Sequence, residues 1–153
     1  MLLENFHARS LDKSTQFEAD EVFFELAQRI VDAIDQVHQR HVVHKDINPS
    51  NIVMNKASGQ IKLIDFGVSS RVPRAAQMSA NTLQLEGTPA YMSPEQSGRT
   101  GRSVSYQSDY YSLGVTFFQL LTGQLPFVAD DVLEMVHLHV AKPAPDPLSL
   151  IHI

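Results

Sequence analysis

Three short runs hold the residues that could do chemistry. The first is His44-Lys45-Asp46-Ile47-Asn48-Pro49-Ser50-Asn51, the second Asp65-Phe66-Gly67, and the third Gly87-Thr88-Pro89-Ala90-Tyr91-Met92-Ser93-Pro94-Glu95. Asp46, Asn51 and Asp65 offer carboxylate and carboxamide oxygens. Groups of this kind can orient a hydroxyl or hold a hard cation. A lone Asp or Asn in a loop more often caps a turn. The weight therefore rests on all three runs occurring in order, each at a place where the surrounding pattern predicts a loop.

The elements that must position them follow from periodicity. From Phe17, apolar residues Phe23, Leu26, Ala27, Ile30, Val31, Ile34 and Val37 recur at steps of three and four, which predicts an amphipathic helix ending near Arg40. Glu21, Glu25, Gln28, Arg29 and Asp32 face mainly outward. Val42-Val43, Ile52-Val53-Met54 and Ile61-Lys62-Leu63-Ile64 are β-prone, and the turn from Asn55 to Gln60 folds the last two into a hairpin. Met1 to Glu4 reads as a strand, and after Phe6 a polar stretch runs through Thr15. Residues 68 to 86 have no period and read as a long functional loop. A helix from Tyr106 or Ser108 to Thr122, apolar on most sides, is expected at the centre of the core, stopped by Gly123 and Pro126. A further helix spans about Asp130 to Val140, and the alternate prolines of Lys142 to Pro147 then forbid regular structure.

Composition narrows the function classes. At 43% hydrophobic and 19% charged the chain is ordinary for a folded domain, which excludes disorder through most of it. A net charge of -5 without any basic cluster argues against a nucleic-acid partner. The absence of cysteine excludes disulfides and zinc-thiolate sites and suits a reducing cytoplasm. The start is acidic by Glu4, unlike a signal peptide. Tyr110 to Ala129 carries no charge, but Gln119, Gly123, Gln124 and Pro126 interrupt it too early for a membrane span. His38, His41 and His44, and His137 with His139, lack the accompanying carboxylates or thiolates of a metal centre.

In wording and spacing the three runs resemble the catalytic loop, the metal-binding D-F-G and the A-P-E region of Ser/Thr protein kinases. The resemblance implies an α+β, mostly helical fold: the large, C-terminal lobe of a kinase with short β-hairpins, the small lobe absent. It implies ATP and Mg²⁺ as cofactors and a protein substrate. Asp46 takes the place of the aspartate that accepts the substrate hydroxyl proton, Asn51 and Asp65 those of the metal ligands, and Thr88 that of the docking-loop threonine bonded to the catalytic aspartate. Met1 to Phe6 corresponds to the hinge that touches adenine, so Glu4 and Phe6 become nucleotide-binding residues. Asp109 corresponds to the buried aspartate that fixes the catalytic-loop backbone. Two residues depart from the pattern. Lys45 stands for the usual arginine and loses its planar fork. Asn48 stands where most such kinases place a lysine on the transferred phosphate, and supplies a hydrogen bond without charge. Glu95 normally pairs with a distant arginine, so it is expected to be a carboxylate without its partner. Ser69, Ser70, Ser79 and Thr82 are candidate phosphorylation sites.

The wording around Asn48, with Ser93-Pro94-Glu95-Gln96 and Asp109-Tyr110-Tyr111-Ser112-Leu113-Gly114, is similar to a narrower group. These are bacterial hybrid proteins in which a Ser/Thr kinase domain precedes sensor modules and a histidine kinase, so such modules are expected downstream in the full-length protein. Residues 1–147 read as a partial kinase domain, and 148–153 as a non-native tail resembling adaptor read-through. No Gly-rich phosphate loop or V-A-I-K lysine occurs in the 153 residues, so the chain alone is expected to be inactive. Its exposed apolar surface, expected to include Leu2, Leu3, Ile52 and Ile64, favours association. The alternative reading is a pseudokinase or interaction scaffold.

Overall fold

The computed structural model describes residues 8–11, 20–55, 57–71 and 87–150. The expected hinge, with Leu2, Leu3, Glu4 and Phe6, lies outside these residues, as do Ser79 and Thr82. Among the described residues eight regular elements follow one another: β1 Ala8–Ser10, α1 Asp20–His38, β2 Val42–Val43, β3 Ile52–Asn55, β4 Ile61–Leu63, β5 Ser70–Arg71, α2 Tyr106–Thr122 and α3 Val132–Ala141. Short 3₁₀ turns at Pro49–Asn51, Pro89–Tyr91, Pro94–Ser97 and Pro147–Ser149 join them.

Helix α1 buries most of the face its periodicity predicts, with Phe23, Leu26, Ile30 and Ile34 inside and Glu25, Gln28 and Arg29 exposed, but Val31, placed on that face by the repeat, lies at its exposed margin. Its last turn unwinds through Gln39 to His41, where His41 takes a positive φ of 58° and turns the chain into β2. The hairpin is also as expected: β3 and β4 pair antiparallel with Val53 opposite Lys62. Asn55 makes the turn by accepting the Ala57 and Ser58 N–H groups on its Oδ1, and Gly59 follows at φ 66°.

Two strands lie where the sequence predicts none. Ala8–Ser10, in the polar stretch, forms the outer strand of a three-stranded sheet ordered β1-β3-β4, with Ser10 opposite Val53. This register brings Leu11 into the core, and its N–H donates to Ile52 O at 2.9 Å. Ala-Arg-Ser has little β-propensity of its own, so pairing with β3 decides its conformation. At the start of the expected long loop, Ser70–Arg71 pairs antiparallel with Val42–Val43. Ile52 is also not at the surface. It is fully buried, in a core that includes Leu11, Ile30, Ile47, Leu113 and Leu120.

Helix α2 is largely buried, as predicted, and is stopped by Gly123 in the left-handed conformation. It is not uniformly apolar, however. Asp109, Ser112, Thr116 and Gln119, at helical spacing, form a buried polar stripe down one side. Helix α3 is capped by Asp131, whose Oδ1 accepts the Leu133 and Glu134 N–H groups. The chain is irregular from Pro143 to Asp146, and Leu148 and Ser149 of the expected tail then lie in a turn capped by Asp146. Among the described residues no helix is long and apolar enough to cross a membrane.

Candidate active site

The loop between β2 and β3 is held from beneath by α2. Asp109, fully buried, accepts the His44 N–H on Oδ2 at 2.8 Å and the Lys45 N–H on Oδ1 at 2.7 Å, and His38 Nε2 lies 2.8 Å from Oδ2. Two turns along, Thr116 Oγ1 reaches the carbonyl of Ile47 at 3.4 Å. Gln96 Nε2 donates to Lys45 O at 2.6 Å. These bonds hold Lys45 at a φ of 70°, a conformation that non-glycine residues keep only where their surroundings impose it. Asp46 is thereby presented on a fixed backbone.

The Asp46 carboxylate is gripped on both oxygens. Thr88 N–H donates to Oδ1 at 2.8 Å, and Asn51 Nδ2 donates to Oδ2 at 2.8 Å and to the Asp46 carbonyl at 2.9 Å. Asp46, Asn51 and Thr88 therefore come together from two separated segments. The Thr88 contact to Asp46 is made by its backbone; its hydroxyl accepts from Asn48 Nδ2 at 3.4 Å. Asn48 itself is 4% exposed and caps the Pro49–Asn51 turn, so its side chain points into the loop.

Asp65 lies on the other side of the same loop. Ile64 N–H donates to Asn51 O at 3.0 Å, and His44 Nε2 lies 3.0 Å from Ile64 O. Asp65 follows with φ 60°, its carboxylate exposed, and Oδ1 accepts the Gly67 N–H at 3.3 Å. The Phe66 ring packs against His44 at a centroid distance of 4.6 Å, tilted by 57°. The residues suit Mg²⁺: with Asn51 Nδ2 committed to Asp46, its amide oxygen is the atom left for a cation, and Asp65 adds a solvent-facing carboxylate. Glu4 and Phe6, expected to contact the nucleotide, lie outside the described residues.

Gly87 is required by geometry. Its φ is 104°, and a Cβ there would sit 2.8 Å from Lys45 O. In the full-length protein, Gly87→Ala is expected to push the Thr88 N–H off Asp46 and lower kcat about tenfold. Steady-state turnover within twofold of wild type would contradict this. Glu95, expected to lack a partner, accepts Ser108 Oγ at 2.6 Å.

Two histidines make the region sensitive to acid. Asp46 N–H donates to His44 Nδ1 at 3.3 Å, so the ring is neutral with its proton on Nε2, facing Ile64 O. Burial pushes its pKa below the ordinary 6.5, against the opposing effects of the Ile64 carbonyl and of Asp109, Asp46 and Asp65. His139 is lowered too, again by burial, against the opposing effect of the Pro89 and Ala90 backbone; its Nδ1 lies 2.8 Å from Tyr111 OH. Burial, with Glu95, lifts Tyr111 to about 12, so it stays protonated as the donor. When a folded-state histidine pKa is depressed, the unfolded chain binds more protons below 6.5, and stability falls as pH drops. Denaturation midpoints of the full-length protein should fall between pH 7.5 and 5.5, and His139→Gln should flatten part of the slope. Identical slopes for wild type and His139→Gln would exclude a contribution from His139.

Gln96, Thr116 and His38 were not anticipated as supports of the loop. A signal exists for the second: Asp109, Ser112 and Thr116 are polar residues at three- and four-residue steps in an apolar helix, the spacing of one helical face. Gln96 and His38 act across 51 and 71 residues of chain, and no local pattern marks them.

A carboxylate clamped between a catalytic-type loop and a docking segment, with an Asp-Phe-Gly beside it, defines a protein kinase domain. That family matches residues 1–145, and the chain belongs to it. Among its relatives, the serine/threonine-protein kinase Pkn1 of Myxococcus xanthus is 37% identical over 125 residues, covering 80% of this chain and 18% of that protein. PksC of Streptomyces coelicolor is 36% identical over 135 residues, 88% of this chain and 22% of the relative. PknB of Mycobacterium tuberculosis is 35% identical over 116 residues, 76% and 18%. The chain thus spans about a fifth of the length of these curated relatives.

Proposed function

We propose that the chain is the large-lobe part of an ATP-dependent Ser/Thr protein kinase domain, with residues 1–147 belonging to that domain. The observation that carries this reading is the Asp46 carboxylate, held by the Thr88 N–H on one oxygen and the Asn51 amide on the other. So held, Asp46 orients the hydroxyl of a protein serine or threonine and takes its proton, while the segment from Thr88 to Glu95 docks the surrounding peptide. Asn51 and Asp65 would hold Mg²⁺, which would supply neutralisation of phosphate charge. The wording of the motifs further supports a place in a cytoplasmic bacterial signalling protein with sensor and histidine kinase modules downstream. The 153 residues alone lack a phosphate loop and are expected to be inactive.

The test is Asp65→Asn in the full-length protein. Removing the exposed carboxylate is expected to weaken Mg²⁺-dependent ATP binding about tenfold or more while leaving metal-free binding unchanged. Equal Mg²⁺ dependence in variant and wild type would overturn the metal role. A pseudokinase or scaffold reading is favoured by one observation, the uncharged Asn48 in place of a phosphate-contacting lysine. Mg-ATP-dependent labelling of a generic Ser/Thr protein substrate, abolished by Asp46→Asn, separates the two.

A further inference from the structure

We infer that Asn48 is a positioning residue. It acts on the docking segment through Thr88 and does not reach the transferred phosphoryl group, so a lysine at this place would impair the site rather than restore it. This rests on the kinase reading above and assigns a role within the same site.

Every polar atom of the Asn48 side chain is already engaged. Oδ1 accepts the Ser50 N–H at 3.0 Å and the Asn51 N–H at 3.3 Å, while Nδ2 donates to Asp46 O at 3.2 Å and Thr88 Oγ1 at 3.4 Å. With 4% exposure, the group has neither a donor nor a direction left for a ligand. What it touches explains its use. Thr88 and Asn51 are the two residues that hold the Asp46 carboxylate, at 2.8 Å each. Asn48 caps the turn that carries Asn51, and it bonds the hydroxyl of Thr88. It therefore links both grips on Asp46 from behind. A carboxamide can do this because it is donor and acceptor at once. A lysine ammonium has no acceptor for the two N–H groups, and its charge is costly at so buried a position.

The coupling to Thr88 can be isolated. Asn48→Ser keeps an oxygen for the cap but is too short to reach Thr88, and Thr88→Val removes the hydroxyl. In the full-length protein with Mg-ATP and a generic protein substrate, each is expected to lower kcat about tenfold with KM for ATP unchanged. Because both delete one link, the double variant should be no worse than the poorer single within about twofold. Thr88→Ser should lose less than Thr88→Val, and Asn48→Lys should also lower kcat about tenfold. A rise in kcat with Asn48→Lys, losses that multiply to about a hundredfold in the double variant, or a loss confined to KM for ATP would overturn the positioning role. A second readout does not depend on turnover: amide hydrogen exchange at Thr88 should quicken about tenfold in Asn48→Ser. Unchanged exchange overturns the inference. If the wild type transfers no phosphate, the proposed function fails, while the Thr88 exchange still decides whether Asn48 positions the segment.

Discussion

Asp46→Asn is expected to reduce phosphoryl transfer about a thousandfold in the full-length protein, within the range that general-base catalysis contributes. The substitution is nearly isosteric, so the loss comes from chemistry and hydrogen bonding. The carboxylate now accepts from Thr88 N–H on Oδ1 and from Asn51 Nδ2 on Oδ2. A carboxamide must turn its NH₂ toward one of these donors, breaking that contact, and its remaining oxygen is a poor base. Neither Asp65 nor the Asn51 amide oxygen is altered, so Mg-ATP affinity should stay within about threefold. Parallel measurement of kcat and of nucleotide affinity by calorimetry checks this. A variant retaining more than a tenth of wild-type turnover would remove Asp46 from the proton-accepting role.

Asp109→Ala should have the largest effect on stability. The side chain is fully buried and serves three donors: the His44 N–H, the Lys45 N–H and His38 Nε2. Deleting it strands two backbone N–H groups and an imidazole in the interior. Each buried unsatisfied group costs about 1 to 3 kcal/mol, so three stranded donors cost on the order of 3 kcal/mol or more together. Against a typical native margin of about 5 to 15 kcal/mol, such a loss is severe. The thermal midpoint should fall by about 10 °C or more. Asp109→Asn should lie between, since it keeps one acceptor oxygen while its NH₂ opposes a backbone donor. Turnover should fall as well, because Lys45 would no longer be held at φ 70° and Asp46 follows it in the chain. A midpoint within 2 °C of wild type, roughly 1 kcal/mol or less, would show that other contacts hold the loop.

The elements that could be read locally are those whose own residues decide them. Helix α1 follows from a three-and-four repeat of apolar residues, the β3–β4 hairpin from two β-prone runs around Asn55 and Gly59, and the end of α2 from Gly123. Ala8–Ser10 and Ser70–Arg71 were not legible, because neither segment prefers a strand by itself; each is extended only because β3 or β2 offers it free hydrogen-bonding groups. Ile52 misled for a related reason. A β-prone isoleucine beside Asn51 can face either side of the sheet, and the β1-β3-β4 register turns it inward.

The same division holds at the site. The wording of the three short runs, through its resemblance to kinase motifs, was enough to single out Asp46, Asn51, Asp65 and Thr88 as the groups to watch. Only the tertiary structure decided how they are held. The Thr88 backbone, 42 residues along the chain, supplies the bond to Asp46, Asp109 reaches back across 65 residues to the catalytic-loop backbone, and Asn48 turns inward to join the docking segment to the loop. Hydrogen bonds between residues so distant in sequence leave no periodic trace. Their donors and acceptors find one another only after burial of the apolar faces of α1, α2 and the hairpin has brought the backbones within reach.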